Sequence, residues 1–66
     1  MTRIRRALAR ATELLSHSSD TPRLDAELLM AAALGIARDR LILAPPEVAV
    51  PDGFTAMVER RRRAGG

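Results

Sequence analysis

The sequence predicts an all-α fold, a small bundle of four to five short helices. Apolar residues recur at the three- and four-residue spacing of amphipathic helices, and the longest strand-like alternation covers only residues 48–50. At 66 residues, of which 47% are apolar, the chain is long enough for one folded domain, residues 1–66, and too short for two. Because Phe54 is the only aromatic residue, the core has to be aliphatic.

The first helix is predicted over residues 2–16. No Gly or Pro interrupts this stretch, and its charged residues lie off the apolar stripe. The stripe follows helical steps and consists of Ile4, Ala7, Leu8, Ala11, Leu14 and Leu15. We therefore expect this helix to pack one face against the rest of the bundle.

The second helix is predicted from Pro22 to Leu34, with Thr21 as its N-cap and Gly35 as its left-handed C-terminal stop. Residues 28–34 contain no polar side chain at any angle around the helix axis. A helix that is apolar all round is usually buried on most sides. The sequence therefore places this helix at the centre of the bundle.

The C-terminal half is predicted to contain two further helices. A short one starts at Asp39 and runs to about residue 43, and the proline-rich segment 44–51 then forms an extended loop. Asp52 is expected to cap the last helix, in which Phe54, Met57 and Val58 share one face. Arg61 continues that face, and its aliphatic stem is expected to cover the edge of the core.

Residue types exclude most catalytic chemistry. The chain has no cysteine and a single histidine, His17, so neither a thiolate nor a multi-histidine metal site can form. Ser16, Ser18 and Ser19 lack a nucleophile-elbow motif, and no glycine-rich loop is present to bind a nucleotide. We expect no catalytic, cofactor-binding or metal-binding residue in this chain.

The same sequence gives no sign of a membrane or an export signal. The basic N-terminus is not followed by an apolar run of signal-peptide length, because Arg10 and Glu13 interrupt it. The longest uncharged run, residues 28–37, is too short to span a bilayer. We expect no membrane partner and a cytoplasmic location.

Charge points to candidate partner contacts. All 11 basic residues are arginines, and the net charge is +3. The first candidates form the run Arg60, Arg61, Arg62 and Arg63, and the second group is Arg23, Asp25 and Glu27. Arg23 and Glu27 have the spacing of a surface ion pair, whereas Asp25 and Glu27 point about 200° apart on a helix and cannot act as an acid–base pair.

A basic helical module that binds nucleic acid, or a small adaptor for one protein partner, is the alternative hypothesis. Four consecutive arginines can bind phosphates. However, the chain offers no aromatic residues for base stacking, and the arginines of the first helix face several directions. These features disfavour nucleic acid as the partner.

Three segments carry a family resemblance: residues 18–31 (SSDTPRLDAELLMA), 34–41 (LGIARDRL) and 58–66 (VERRRRAGG). In order and spacing they resemble the N-terminal helical domain of the peptide chain release factor glutamine methyltransferases, the HemK/PrmC family. The likeness covers nearly the whole chain.

The resemblance implies an enzyme that transfers a methyl group from S-adenosylmethionine to the glutamine of the Gly-Gly-Gln motif in release factors. In that family a C-terminal Rossmann-like domain provides the glycine-rich cofactor loop and an Asn-Pro-Pro-Tyr motif, and this chain contains neither. It implies that these 66 residues are a non-catalytic piece of such a protein, with an interdomain linker beginning at residues 64–66. The implied partners are release factors and the protein's own methyltransferase domain.

Overall fold

Four helices make up the fold in the computed structural model, which describes residues 3–44 and 48–65. The helices are α1 (Arg3–Leu15), α2 (Pro22–Leu34), α3 (Arg38–Ile42) and α4 (Phe54–Gly65). No strand occurs within the described residues, so the predicted all-α bundle is confirmed. None of these helices is both long and apolar enough to cross a membrane.

Helix α1 forms because one of its faces is apolar. Ile4, Leu8, Ala11 and Leu15 recur at three- and four-residue steps and are all buried in the core. Thr12, which lies beside this stripe, donates its hydroxyl to the Leu8 carbonyl at 2.7 Å. The predicted apolar stripe and the bounds of this helix are confirmed to within one residue.

Local chemistry defines both ends of α2. Pro22 is its first residue, where the missing N–H costs no hydrogen bond. At the other end Gly35 adopts φ 72°, and the N–H of Ile36 reaches the Ala31 carbonyl at 3.0 Å, as in a Schellman termination. The predicted bounds are therefore confirmed.

Thr21 occupies the predicted N-cap position of α2, but its side chain makes no capping hydrogen bond. Its backbone, at φ −130° and ψ 63°, lies outside the extended conformation that aims a cap hydroxyl at the first helical N–H groups. Instead, Ser19 Oγ accepts the N–H of Thr21 at 3.1 Å, and the Thr21 carbonyl accepts the N–H of Asp25.

Helix α2 occupies the centre of the bundle, as predicted, and contacts α1, α3 and α4. The expectation that it is buried on most sides is wrong. Ala26, Met30 and Ala31 are buried, but Leu24 is 38% exposed and Leu28 49% exposed. Three short neighbours do not enclose a helix, and a domain of this size buries only roughly 60% of its surface. One apolar face of α2 therefore remains open.

The helices of the C-terminal half start differently from the prediction. Helix α3 begins at Arg38, after an extended Ala37, so Asp39 lies in its first turn and is not the starting residue. Within the described residues Asp52 forms no side-chain hydrogen bond, and the carbonyls of Pro51 and Gly53 accept the N–H groups of Phe54 and Met57 instead. Backbone carbonyls thus make the turn into α4 without a side-chain cap.

The segment before α4 is only partly described. Residues 48–51 have neither helical nor strand structure, which agrees with the predicted extended loop, and positions 45–47 lie outside the described residues. Helix α4 itself continues through Gly65. The beginning of a linker at residues 64–66 stays a prediction.

A single apolar core joins all four helices. Its only aromatic member is Phe54, so the packing is aliphatic as predicted. The buried apolar residues are Ile4, Leu8, Ala11, Leu15, Ala26, Met30, Ala31, Leu41, Phe54 and Val58.

Candidate functional site

A nearly buried carboxylate ties the loop after α1 to α2 and α4. Asp25 is only 9% exposed. The hydroxyl of Ser19 donates to its Oδ2 at 2.5 Å, and Nη2 of Arg61 lies 3.6 Å from the same oxygen. We call these three residues, Ser19, Asp25 and Arg61, the Asp25 clamp.

The clamp stabilises a charge that would otherwise be costly to bury. Hydrogen bonds to an ionised acceptor are stronger than those between neutral groups, and the first turn of α2 offers the positive end of its dipole. The side chain of Arg61 is 57% exposed, so water screens its attraction to Asp25. The hydrogen bond from Ser19 is therefore the stronger part of the clamp, and the Arg61 contact adds a weaker link from α4 to α2.

Glu27 forms a second charged junction on the other side of α2. Nε of Arg23 donates to Oε2 at 3.0 Å, and Arg38 approaches Oε1 with Nε and Nη2, both at 3.0 Å. Partial burial opposes ionisation, but the hydrogen bonds from the two guanidinium groups outweigh it and hold the pKa of Glu27 below its ordinary value of 4.5. This junction connects α2 to α3.

The two acids of α2 thus contact different helices, as their spacing predicts. Asp25 binds towards α4 and Glu27 towards α3. The predicted pair of Arg23 and Glu27 is confirmed. Arg38 was missed as a partner, because it lies 11 residues further along the chain and only the tertiary fold brings it close.

The four arginines of α4 do not form one uniform patch. Arg61 contacts Asp25, and Nη2 of Arg62 donates to Glu59 at 2.8 Å, which lowers the pKa of Glu59. Arg60 and Arg63 are exposed, and neither forms an ion pair within residues 3–44 and 48–65. Two members of the run are therefore tied into the domain, and two project their charge into solvent.

An open groove of about 310 Å³ runs between α2 and α4. Its apolar lining consists of Leu29, Met57 and Ala64, and its basic lining consists of Arg60 and Arg61. The sequence reasoning did not identify Leu29 or Met57 as site residues, because apolar residues at helical spacing are indistinguishable from core residues.

The described part of the chain has a polar cleft but no cluster of potential metal ligands. No group of three His, Cys, Asp or Glu side chains converges there as a metal site would require. A cleft of about 440 Å³ next to the Asp25 clamp is lined by Ser18, Ser19 and Asp20, with Ala64 on its α4 side. Of the polar side chains that line this cleft, Ser19, Asp25 and Arg61 contact one another in the clamp.

Comparison with known proteins identifies one family. Residues 6–65 match the family described as PrmC N-terminal domain, which spans most of α1 and all of α2, α3 and α4. No curated protein and no solved structure was found to match. The family resemblance carried by residues 18–31, 34–41 and 58–66 is thereby confirmed, and the chain belongs to the PrmC N-terminal domain family.

Proposed function

We propose that this chain is the release-factor-docking domain of an S-adenosylmethionine-dependent methyltransferase that modifies the glutamine of the Gly-Gly-Gln motif. The observation that supports the proposal is the family match over residues 6–65, because the resemblance to this family implies a methyltransferase of this kind. Its partners are the release factor and the methyltransferase domain of the same protein.

The docking role agrees with the groups on the surface. Arg60 and Arg63 form no ion pair within the described residues, and the groove between α2 and α4 offers apolar area beside Arg60. A docking domain accelerates a reaction by positioning the substrate rather than by activating it. We assign no proton transfer or bond-breaking step to the side chains of this chain.

The residues of this chain do not fit S-adenosylmethionine. Gly35 and Gly53 are isolated glycines at the ends of helices, so the chain has no glycine-rich loop that could approach the cofactor closely. The cofactor is therefore proposed to bind the methyltransferase domain, where it supplies the methyl group.

Isothermal titration calorimetry with a purified bacterial release factor tests the proposal. We expect a saturable heat of binding at a stoichiometry of one to one. The control partner is the same release factor after heat denaturation, which should give no saturable heat. Absence of binding to the native release factor, with the chain shown to be helical by circular dichroism, would contradict the proposed function.

Nucleic-acid binding is the second candidate, and the exposed Arg60 and Arg63 are the observation that favours it. Phosphate binding releases counterions, so the affinity for RNA would fall steeply, by orders of magnitude, between about 50 and 200 mM salt. Fluorescence anisotropy with a labelled single-stranded RNA measures this. We expect no binding even at low salt, whereas tight and strongly salt-dependent binding would favour this candidate over docking.

A further inference from the structure

The outer face of α2 carries an exposed apolar row. Leu24, Leu28 and Ala32 follow one another at four-residue steps, and the two leucines are 38% and 49% exposed. Ile36, just beyond the end of the helix, is also 38% exposed. Unlike the separately exposed Ile42 and Leu43, these residues line up along one helix face, so the row is available to a partner.

This row and the groove beside it form one continuous surface. The helical period of about 100° per residue places Ala32 between Leu28 and Leu29, and Leu29 lies in the groove next to Met57. We call the combined area, Leu24, Leu28, Leu29, Met57, Arg60 and Arg61, the α2–α4 surface. Its middle is aliphatic, and its α4 edge carries two guanidinium groups.

The charge at this edge is net positive. Asp25 of α2 accepts a hydrogen bond from Ser19 and contacts Arg61, and it forms no ion pair with Arg60. Arg60 is exposed and has no ion-pair partner within the described ranges. An apolar strip bordered by unpaired positive charge complements a partner that presents apolar residues next to acidic ones.

We propose that the α2–α4 surface binds an amphipathic helix of the release factor whose apolar side chains are bordered by Asp or Glu. This proposal rests on the proposed function and specifies where and by what chemistry docking occurs. A groove between two helices accepts a third helix by ridge-into-groove packing, which is a common mode of peptide recognition. The partner's leucine-like side chains would cover Leu28 and Leu29, and its carboxylates would meet Arg60.

The test uses the ¹⁵N-labelled chain titrated with an unlabelled bacterial release factor and followed by NMR. We expect the amide signals of Leu28, Leu29 and Met57 to shift or broaden first. In the calorimetric titration, Arg60→Glu and Leu28→Gln should each weaken binding by about tenfold, because charge complementarity and buried apolar anchors determine affinity.

Matched controls separate a local effect from a general one. Arg6→Glu makes the same charge change on α1, and Leu43→Gln removes a leucine that is 80% exposed and does not line the groove. Both controls should stay within about twofold of the native affinity, since charge and area outside an interface contribute little. All four positions are exposed, and circular dichroism checks that each variant is folded.

Several results would overturn the inference. Binding that shifts the signals of α1 while Arg60→Glu and Leu28→Gln bind normally would refute the docking site and leave the proposed function standing. No binding at all would contradict both. Sedimentation that shows a dimer of the chain, lost in Leu28→Gln, would assign this surface to a second copy, and RNA protection of the same signals would assign it to nucleic acid.

Discussion

At the scale of single residues, the Asp25 clamp is the most informative contact. Asp25→Asn keeps the shape of the side chain but removes the charge that Ser19 and Arg61 stabilise. We expect a loss of about 1.5–3 kcal/mol in the free energy of unfolding, the magnitude of a hydrogen bond to a charged group. Urea denaturation followed by circular dichroism measures the change.

The matched control is Asp39→Asn. Asp39 also lies in the first turn of a helix, but it is exposed and forms no side-chain hydrogen bond within the described residues. Its replacement should change the unfolding free energy by less than about 0.5 kcal/mol, as is usual for exposed positions. Equal losses for both variants would show that the helix dipole, and not the clamp, makes Asp25 important.

Glu27 gives the domain a pH-dependent contribution. Its pKa in the folded chain lies below the ordinary 4.5, because Arg23 and Arg38 bind the ionised form. Folding is therefore favoured by this group above pH 4.5, and the benefit is lost as the pH falls through the lowered pKa. We expect Glu27→Gln to destabilise the chain by less than about 1 kcal/mol at pH 7 and to make no difference near pH 2.

Urea titrations of native chain and variant at both pH values provide the comparison. Glu13→Gln is the control, since Glu13 is an exposed acid without an ion pair in the described part of the chain. A destabilisation by Glu27→Gln that is the same at both pH values would mean that lost packing, and not lost charge, is responsible.

At the scale of helices, the end of α2 depends on one glycine. Gly35 has φ 72°, a left-handed conformation that costs an L-residue about 1–2 kcal/mol. Gly35→Ala should therefore destabilise the chain by about 1 kcal/mol, although nothing lies within 4 Å of the added methyl group. Gly53→Ala should be nearly neutral, because an added methyl group there also meets nothing within 4 Å and Gly53 has no positive φ. Thermal unfolding of both variants measures the difference. Equal effects would contradict the conformational explanation.

The two sides of α2 should respond very differently to truncation. Met30 is completely buried, and Met30→Ala should cost about 2–5 kcal/mol through lost burial and a residual cavity. A domain of this size has about 3–10 kcal/mol of total stability, so this variant should lose a large share of it. Leu28→Ala, on the open face, should cost less than about 1 kcal/mol. Similar losses would show that the outer face of α2 is packed.

Local sequence signals explain which features of the helices could be predicted. Pro22 and Gly35 mark the ends of α2 through their own backbone restrictions, so those bounds could be read from the sequence. The N-cap position of Thr21 could also be predicted, but the missing side-chain hydrogen bond could not, because it depends on the backbone angles of Thr21 in the folded loop. The exposure of one face of α2 could not be predicted either, because the all-apolar stretch 28–34 has no polar side to indicate which face meets solvent.

At the scale of the whole molecule, a small number of helices limits how much can be buried. The pairing of Arg23 with Glu27 follows from their spacing on one helix, whereas the contacts of Arg38 and Arg61 with acids of α2 arise only when the helices pack. The arginine run was predictable as a candidate surface. Which of these arginines pair with acids could not be predicted, because the Arg61–Asp25 contact depends on where α4 lies against α2.

The central claim is that this domain docks a release factor, which the methyltransferase domain of the same protein then methylates. Competition tests this claim most directly. An excess of the chain is added to an intact bacterial release factor glutamine methyltransferase, and methyl transfer is measured on two substrates. We expect methylation of the whole release factor to slow, because the chain occupies its docking site. Methylation of a short Gly-Gly-Gln peptide, which has no docking site, should be unchanged. Unchanged methylation of the whole release factor at a large excess of folded chain would contradict the docking function.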